Sequence, residues 1–173
     1  PAGEHSHKGY AFTVWLDPEL AIEQSRSIHQ ALTHLLPQKS ASLDAGLAAL
    51  EQALEQLDRE QEQLFAKLGD KPVLFSHPVY QYFARAYGLD IRSLHWEPDI
   101  HPDDAAWREF EEILATHPAQ TMLWEGEPTA ATRARLDELG ITIVVVPTLA
   151  NRPGSGDFSS VLDQVASDLS ARG

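Results

Sequence analysis

The spacing of apolar residues changes once along the chain, close to residue 70. Up to that point apolar residues recur every three or four positions, which is the period of a helix. Asp17-Pro18 predicts the start of the first helix, with Asp17 as its N-cap, and this helix extends to about Leu36. The preceding residues, 11–16, are predicted to form a short strand or an extended segment.

A longer helix follows, and Ser42 is predicted to cap its N-terminus. At ~1.5 Å per residue it is about 40 Å long, more than a compact domain of this size needs. Two interpretations remain open: the seam of a coiled-coil dimer, or a backbone helix that packs along a larger body. The small number of full heptads and a mixed polar face favour the backbone helix. One stripe of the helix is rich in leucine: Leu43, Leu47, Leu50, Leu54, Leu57, Gln61, Leu64 and Leu68.

Beyond residue 70, short apolar segments alternate with amphipathic ones. This alternation predicts the α/β class, with a four-stranded, mostly parallel sheet flanked by helices and preceded by the long backbone helix. Pro78 and Pro128 are predicted to open two of the helices. The predicted strands are 72–76, 91–96, 121–125 and 141–147, and the predicted helices are 78–87, 103–116, 128–139 and 157–171. The predicted parts are an N-terminal tail and extended segment (1–16), a helical segment (17–69) and an α/β lobe (70–173).

Composition narrows the classes of partner. The 173 residues carry a formal net charge of −13, which disfavours nucleic-acid binding and adhesion to anionic lipid. The absence of cysteine excludes disulfides, thiolate metal sites and cysteine nucleophiles. No apolar run approaches the roughly 20 residues of a membrane span, so membrane insertion is not expected. The chain shows no signal-peptide pattern, and because it starts at Pro1 without Met we expect a processed N-terminus.

Two residues at predicted strand ends are candidates for metal coordination or acid–base chemistry. His77 follows the first strand, at the carboxyl edge of the sheet, where open α/β folds bind ligands. A neutral imidazole there can coordinate a metal or act as an acid or base, and the alternative is a histidine that caps or packs at a turn. Glu125 ends the third strand, and its carboxylate can bind a cation or act as a general base. Its alternative is a glutamate that interacts with the dipole of the next helix.

The remaining candidates lie in a loop and in the N-terminal tail. The segment 95–101 holds His95, Glu97 and His101 at the end of the second strand, and it is either part of a metal site or an ordinary polar loop. His5 and His7 chelate a metal weakly if they are ordered. No nucleophile elbow, phosphate loop or dinucleotide fingerprint is present. A hydrolase or lyase that uses His77 with Glu125 is a weaker alternative, because no nucleophile or cofactor signature supports it.

Several motifs together resemble the zinc/manganese-type (cluster A-I) solute-binding proteins of bacterial ABC importers. The resemblance covers essentially the whole chain, but it matches only the later part of a typical member. It implies two α/β lobes joined by one long helix, with the metal in the cleft, of which this chain holds the helix and the second lobe. The motifs, besides the leucine-rich helix, are Val14-Trp-Leu-Asp-Pro18, Phe75-Ser-His-Pro-Val-Tyr-Gln-Tyr-Phe83, Trp124-Glu-Gly-Glu-Pro128 and Asn151-x-Pro-x-x-Gly-Asp-Phe158.

The resemblance assigns metal ligands residue by residue. The second-lobe histidine of the family falls on His77, so that ligand is retained. The histidine two residues before the Trp-Leu-Asp-Pro motif falls on Thr13, and the aspartate after the last strand falls on or near Pro147, so both ligands are lost. The first-lobe histidine has no counterpart, which leaves one of four usual ligands. Glu125 aligns with a common glutamate, and the tail histidines correspond to a reduced histidine-rich loop.

The resemblance implies a divalent-metal-binding protein, and not an enzyme, outside the cytoplasmic membrane. It would bind zinc, with manganese as the alternative, and deliver it to an ABC permease. A tight zinc site needs three or four ligands, so the site is either degenerate or recruits groups from the candidates above or from a second chain. The alternative function is a scaffold or interaction module, such as a homodimer, that keeps the fold without the metal. The leucine stripe supports that alternative if part of it is exposed.

Overall fold

The computed structural model describes residues 12–68 and 71–170 of the chain. Two helices come first, α1 (Pro18–Leu35) and α2 (Ser40–Leu68), and a 3-10 turn over Pro37–Lys39 joins them. The prediction that Ser42 caps α2 is wrong, because the 3-10 turn continues directly into the helix. Ser42 instead donates its hydroxyl to the carbonyl of Lys39 at 3.1 Å.

The segment before α1 is not a strand. Val14–Leu16 forms one turn of 3-10 helix, and the amides of Leu16 and Asp17 donate to carbonyls three residues back. These local hydrogen bonds occupy the backbone that a strand would offer to a sheet. The Trp15 indole donates to the carbonyl of Thr148 at 2.8 Å, which connects this turn to the loop that follows the last strand.

Asp17 caps α1, as the sequence predicts. Its carboxylate accepts from the amide of Leu20 at 3.2 Å and from the guanidinium of Arg85 at 3.0 Å. We expect Asp17→Ala to lower the free energy of unfolding by about 1–2 kcal/mol, because the helix loses its cap. Asp17→Asn keeps the capping oxygen and should cost less in chemical denaturation. Equal losses in the two variants would assign the effect to the exposed Arg85 pair instead.

Residues 73–170 form an α/β unit. All four strands are parallel, in the order β2-β1-β3-β4 as labelled below. The α/β class, the four-stranded parallel sheet and the long preceding helix are confirmed. The elements are β1 (Val73–Phe75), α3 (Gln81–Ala86), β2 (Ile91–Ser93), α4 (Asp104–Thr116), β3 (Thr121–Trp124), α5 (Ala130–Glu138), β4 (Thr142–Val145) and α6 (Phe158–Ser170).

Each strand is shorter than predicted, and the helices after Pro78 and Pro128 begin two or more residues later than predicted. Pro78 and Pro128 do not open helices, since α3 begins at Gln81 and Thr129 caps α5. The reason at the first site is a tight turn, in which the amide of Val79 donates to the carbonyl of His77 at 2.9 Å. The strand ends therefore pass into loops before the helices begin, and these loops carry the candidate ligands.

Alternate strand residues bury two apolar layers, one on each face of the sheet. Phe75 packs with Tyr80 and Phe83 of the α3 region, together with Phe65 of α2. On the other face, β1, β3 and β4 pack against α4 and α5, and the buried side chains there include Leu74, Leu94, Trp96, Trp107, Phe110, Met122, Trp124 and Leu136. Helices therefore cover both faces and leave the carboxyl edge to the loops.

Helix α2 is buried along only part of its stripe. Its 29 residues span about 43 Å at ~1.5 Å per residue. Leu54, Leu57 and Gln61 are buried, and α2 contacts α1 and α6. Nearer the N-terminus, Leu50 is 44% exposed. The three-part division of the chain at residues 17 and 70 stays a prediction. Within the described ranges, no helix has the length and apolar character needed to cross a membrane.

Candidate metal centre

The residue before His77 is hydrogen-bonded through its backbone to both neighbouring strands. The amide of Ser76 donates to the carbonyl of Leu123 at 2.9 Å, and the Ser76 carbonyl accepts from the amide of Trp96 at 2.7 Å. These bonds continue the sheet beyond β1 and join it to the ends of β2 and β3. The His77 side chain is consequently set at the carboxyl edge, and only 12% of it is exposed.

The imidazole of His77 lies between two carboxylates. Its Nε2 is 3.6 Å from Oε1 of Glu97, and its Nδ1 is 3.6 Å from Oε1 of Glu125. Glu97 comes from the loop after β2, and Glu125 comes from the end of β3. Three neighbouring strand ends thus bring one imidazole and two carboxylates together.

Glu125 carries the electrostatic signature of this arrangement. Burial of its carboxyl raises its pKa, and the negative charge of Glu97 raises that pKa further. A buried carboxylate near a like charge is destabilised in its ionised form, and a cation placed beside it reverses that penalty. The site is therefore arranged to gain from a bound cation.

The other predicted ligands divide into three groups. His95 lies near the centre, with its ring centroid 6.0 Å from that of His77. His101 lies elsewhere, because its Nδ1 is hydrogen-bonded to Thr132 Oγ1 at 2.9 Å and its ring packs beside Trp107. His5 and His7 fall outside the described residues.

One cation can use His77 together with one of the two glutamates. In a tetrahedral zinc site with bonds of 2.0–2.1 Å, neighbouring ligand atoms are about 3.4 Å apart, so either 3.6 Å pair fits. The glutamates face opposite nitrogens of the ring, and one ion cannot reach both nitrogens. Across residues 12–68 and 71–170, no group of three or more His, Cys, Asp or Glu side chains is arranged to hold a metal.

The two positions at which the resemblance implies lost ligands have other roles here. Thr13 is fully buried, and its hydroxyl donates to the carbonyl of Val79, so it supports the turn that carries His77. Pro147 follows β4 and lines a cavity beside Glu125. Neither side chain offers a zinc ligand, which leaves coordination positions open.

Sequence reasoning missed Tyr80 and Gly126. The Tyr80 hydroxyl donates to the carbonyl of Val146, which fixes the start of α3 against the end of β4. The Tyr80 pKa is raised well above its usual value by burial and by the charge of Glu125. A Cβ on Gly126 would lie 3.2 Å from Cβ of Pro98, so the two loops that carry the glutamates approach closely there. A glycine between two glutamates at a strand end was the available signal.

Gly126→Ala tests whether this close approach sets the spacing of the glutamates. The added methyl group would push against Cβ and Cγ of Pro98, at 3.2 and 3.3 Å, and separate the loops. We expect zinc affinity to fall about tenfold, as for other residues that position metal ligands. Adding Pro98→Gly should restore most of it, since both contacting atoms disappear. Gly46→Ala, which meets nothing within 4 Å, is the control and should leave calorimetric zinc affinity unchanged.

The raised pKa of Glu125 predicts a pH dependence. Zinc binds the ionised carboxylate, so affinity should fall as the pH decreases through that pKa, which lies above the ordinary value of 4.5. Without metal, the folded chain holds this proton more tightly than the unfolded chain, so its stability should fall as the pH rises through the same pKa. Glu97→Gln removes one cause of the raised pKa and should move both midpoints to lower pH. Exposed Glu127→Gln is the control, and equal shifts in the two variants would contradict the assignment.

Comparisons with known proteins identify the family of this chain. The family model described as "ZnuA: Zinc-uptake complex component A periplasmic" matches residues 1–171. The High-affinity zinc uptake system protein ZnuA of Haemophilus ducreyi is 30% identical over 147 residues, which are 78% of this chain and 47% of that protein. The protein of the same name from Yersinia pestis is 27% identical over 157 residues, 84% of this chain and 49% of that protein.

Solved structures share the fold. The Zn(II)-bound ZnuA-like domain of Streptococcus pneumoniae AdcA has a TM-score of 0.81 at 22% identity, and the match covers 92% of this chain and 62% of that one. The metal-dependent lipoprotein YcdH of Bacillus subtilis has a TM-score of 0.80 at 20% identity, with 93% of this chain and 64% of that one covered.

The family match places the chain in the solute-binding class. The chain belongs to the ZnuA family of zinc-type solute-binding proteins, which is a family of binding proteins and not of enzymes. It spans about half the length of the first curated relatives that it matches.

Proposed function

We propose that this chain binds Zn²⁺ as cargo at the carboxyl edge of its sheet, with His77 as the central ligand. The observation that carries the proposal is the position of the His77 ring, 3.6 Å from a glutamate oxygen at each nitrogen. Neutral imidazole and carboxylate are both zinc ligands. The names of the relatives support zinc, since they are a zinc uptake system protein and a zinc-binding protein.

Glu125 is the better of the two carboxylates for this role. Its side chain is 19% exposed, against 48% for Glu97, so its ion pair with a cation is less screened by water. His95 is close enough to join after a change of rotamer, and water or another small molecule completes the coordination.

Zinc is favoured over manganese by the chemistry of the centre. Nitrogen ligation suits zinc, and for a given site the affinity of divalent ions rises from manganese to zinc. An all-oxygen centre would have suited manganese better, but His77 occupies the middle of this one. Manganese remains the alternative cargo.

The proposed role of the bound ion is import. The family description places its members in the periplasm, and we propose that this chain works outside the cytoplasmic membrane and hands zinc to an ABC permease. The protein's part is to capture the cation, and no bond of the cargo is made or broken apart from coordination.

Calorimetric titration of the metal-free 173-residue chain tests the proposal. Removal of metal by a chelator and dialysis should leave a folded protein that binds one Zn²⁺ per chain. We expect weaker binding of Mn²⁺ and weaker still of Mg²⁺, which prefers oxygen ligands and retains water. Absence of zinc binding by a folded chain would overturn the proposal, and tighter binding of Mn²⁺ would change the cargo.

A second candidate function is an interaction module that pairs with a second copy of the chain. The observation that favours it is an apolar face on α1 and the first half of α2, where Ile28 is 60% exposed and Leu35 is 71% exposed. Light scattering distinguishes the two functions. A stable dimer that dissociates on Ile28→Glu, in a chain without zinc affinity, would favour the module.

A further inference from the structure

The loop between β4 and α6 contains a strained backbone position. Among residues 12–68 and 71–170, Leu149 is the one residue other than glycine with a positive φ, and its φ is 55°. A side chain is disfavoured in this left-handed region, because its Cβ approaches the following carbonyl oxygen. A residue in such a conformation persists only where the surrounding structure holds it. The contacts around Leu149 therefore supply a restraint.

Two restraints meet at Leu149. The carbonyl of the preceding residue, Thr148, accepts a hydrogen bond from the indole of Trp15 at 2.8 Å. This carbonyl belongs to the planar peptide unit before Leu149, so its orientation and the φ of Leu149 change together. The Leu149 side chain packs against the buried cluster where α2 meets α6, which includes Leu54 and Leu162, and Trp15 packs against the same cluster. Trp15 thus restrains the loop through its backbone and through shared packing.

The Trp15 hydrogen bond also completes a closed network at the carboxyl edge. From the same 3-10 turn, Thr13 donates to the turn that follows β1. Tyr80, at the end of that turn, donates to the carbonyl of Val146, just after β4. Trp15 closes the network by donating to Thr148, two residues further along. Each of the three segments is therefore held by the other two, and the loss of one bond leaves two in place.

The restrained loop lies beside the metal centre. Thr148 and Leu149 line the same cavity, of about 360 Å³, as Glu125. The loop therefore limits the access of water to this carboxylate, of which only 19% is exposed. A carboxylate that is shielded from water attracts a cation more strongly, because the effective dielectric constant around it is lower. Movement of the loop away from Glu125 would weaken that attraction.

We propose that Trp15 is a positioning residue of the metal centre, because its indole holds the strained loop after β4 beside Glu125. The effect on metal binding rests on the proposed zinc function, whereas the restraint on Leu149 exists without metal. When the Trp15 hydrogen bond is lost, Leu149 relaxes to an ordinary φ and the loop moves away from Glu125. The remaining bonds from Thr13 and Tyr80 keep this change local.

A comparison of Leu149→Gly with Leu149→Ala in chemical denaturation tests the strain. Both variants lose the leucine packing, but only glycine adopts a positive φ without strain. At an ordinary position glycine is the less stable of the two, because it loses more backbone freedom on folding. Here the ratio of folded to unfolded chain should be about twofold to fivefold higher for Leu149→Gly.

Ala150→Gly is the control for the strain, since the next position in the loop does not have a positive φ. This variant should lower the ratio of folded to unfolded chain, as glycine ordinarily does. A lower ratio for Leu149→Gly than for Leu149→Ala would overturn the strain at this position.

Hydrogen exchange and zinc titration of Trp15→Phe test the positioning role. Phenylalanine keeps an aromatic ring but removes the indole donor. In the metal-free chain, we expect the amides of residues 149–152 to exchange at least about tenfold faster, whereas those of β1 and β3 keep their rates. Calorimetric zinc affinity should fall about tenfold, as for other residues that position metal ligands. The increase in exchange should be smaller in a Leu149→Gly background, because no strain remains to drive the loop away.

Trp107→Phe is the matched control. It makes the same change on α4, where the indole nitrogen has no hydrogen-bond partner among the described residues. Exchange in the loop and zinc affinity should both stay unchanged in this variant. An equal change in the two tryptophan variants would assign the effect to general loss of packing and would overturn the role of Trp15.

The remaining outcomes separate this inference from the proposed function. Unchanged loop exchange in Trp15→Phe would overturn the restraint, and an equal increase in the Leu149→Gly background would overturn its link to strain. Faster loop exchange with unchanged zinc affinity would overturn the positioning role and leave the zinc function intact. Absence of zinc binding by the folded, unaltered chain would overturn the proposed function, and loop exchange would still decide the restraint.

Discussion

Replacing His77 with alanine is expected to lower zinc affinity by at least about 100-fold, the upper end of the losses seen when residues that merely support ligands are changed. The reason is geometric. Each carboxylate of the centre is paired with one nitrogen of this ring, at 3.6 Å in both cases, so either half of the site loses its nitrogen ligand. Calorimetric titration with Zn²⁺ gives the affinity of both chains.

His101→Ala is the matched control for that experiment. His101 lies in the loop after β2, but its ring nitrogen is bonded to Thr132 and it takes no part in the His77 centre. Its loss should leave zinc affinity unchanged. His77→Gln keeps a polar side chain in the turn and should lose zinc as His77→Ala does, which separates ligation from folding. An unaltered affinity in both His77 variants would move the zinc site away from this edge.

The sequence was sufficient to place His77 at the carboxyl edge of the sheet because its signal is local. An apolar run of three residues followed by Ser-His-Pro defines a buried strand and its exit, and a parallel sheet brings such exits to one edge. The same reasoning placed Glu125 at the end of β3. Both positions depend on strand topology and not on the detail of side-chain packing.

His95 and His101 show where local reasoning stops. Both lie in one seven-residue loop, and composition gives them equal claims as ligands. The ring of His95 is directed near His77, whereas His101 reaches α5 and bonds Thr132. The path of a loop depends on contacts with distant residues, among them the approach of Pro98 to Gly126, and no spacing rule specifies those contacts.

The helix boundaries differ for a related reason. Pro78 and Pro128 are good first residues of helices, but other hydrogen bonds set where the helices begin. Thr13, which is distant in the sequence, supports the turn after His77, whereas the local cap by Thr129 sets the start of α5. Helix propensity decides where a helix begins only when no other hydrogen bond fixes the start. At the carboxyl edge such hydrogen bonds are present.

The leucine stripe of α2 is read correctly as a helix, but its periodicity does not say what covers it. Leu54 and Leu57 are buried in this chain, whereas Leu50 on the same stripe is 44% exposed. A coiled coil and a long helix at the side of a lobe have the same spacing over a few heptads. Around Leu54 and Leu57 the contact with α6 favours the long helix at the side of a lobe. The exposed part of the leucine stripe remains available to other surfaces.

Replacing Pro147 with aspartate is expected to raise zinc affinity at least about tenfold, a change of the size that residues around a metal produce. Pro147 lines the cavity beside Glu125, so a carboxylate there can become a further ligand of an ion on that side of His77. Competition with a zinc-binding dye measures the gain.

Ala115→Asp is the control, since it adds the same charge at an exposed position on α4, outside the residues that line the cavity. A gain that is equal in the two variants would mean general attraction of the cation and not ligation. The pH dependence separates them further. Without metal, an aspartate close to Glu125 adds a second like charge and raises the pKa of that carboxyl beyond its already raised value. In Pro147→Asp, Glu125 therefore stays protonated up to a higher pH, and zinc must displace that proton in order to bind. The gain in zinc affinity for Pro147→Asp should grow as the pH rises, whereas the gain from a distant charge should change little.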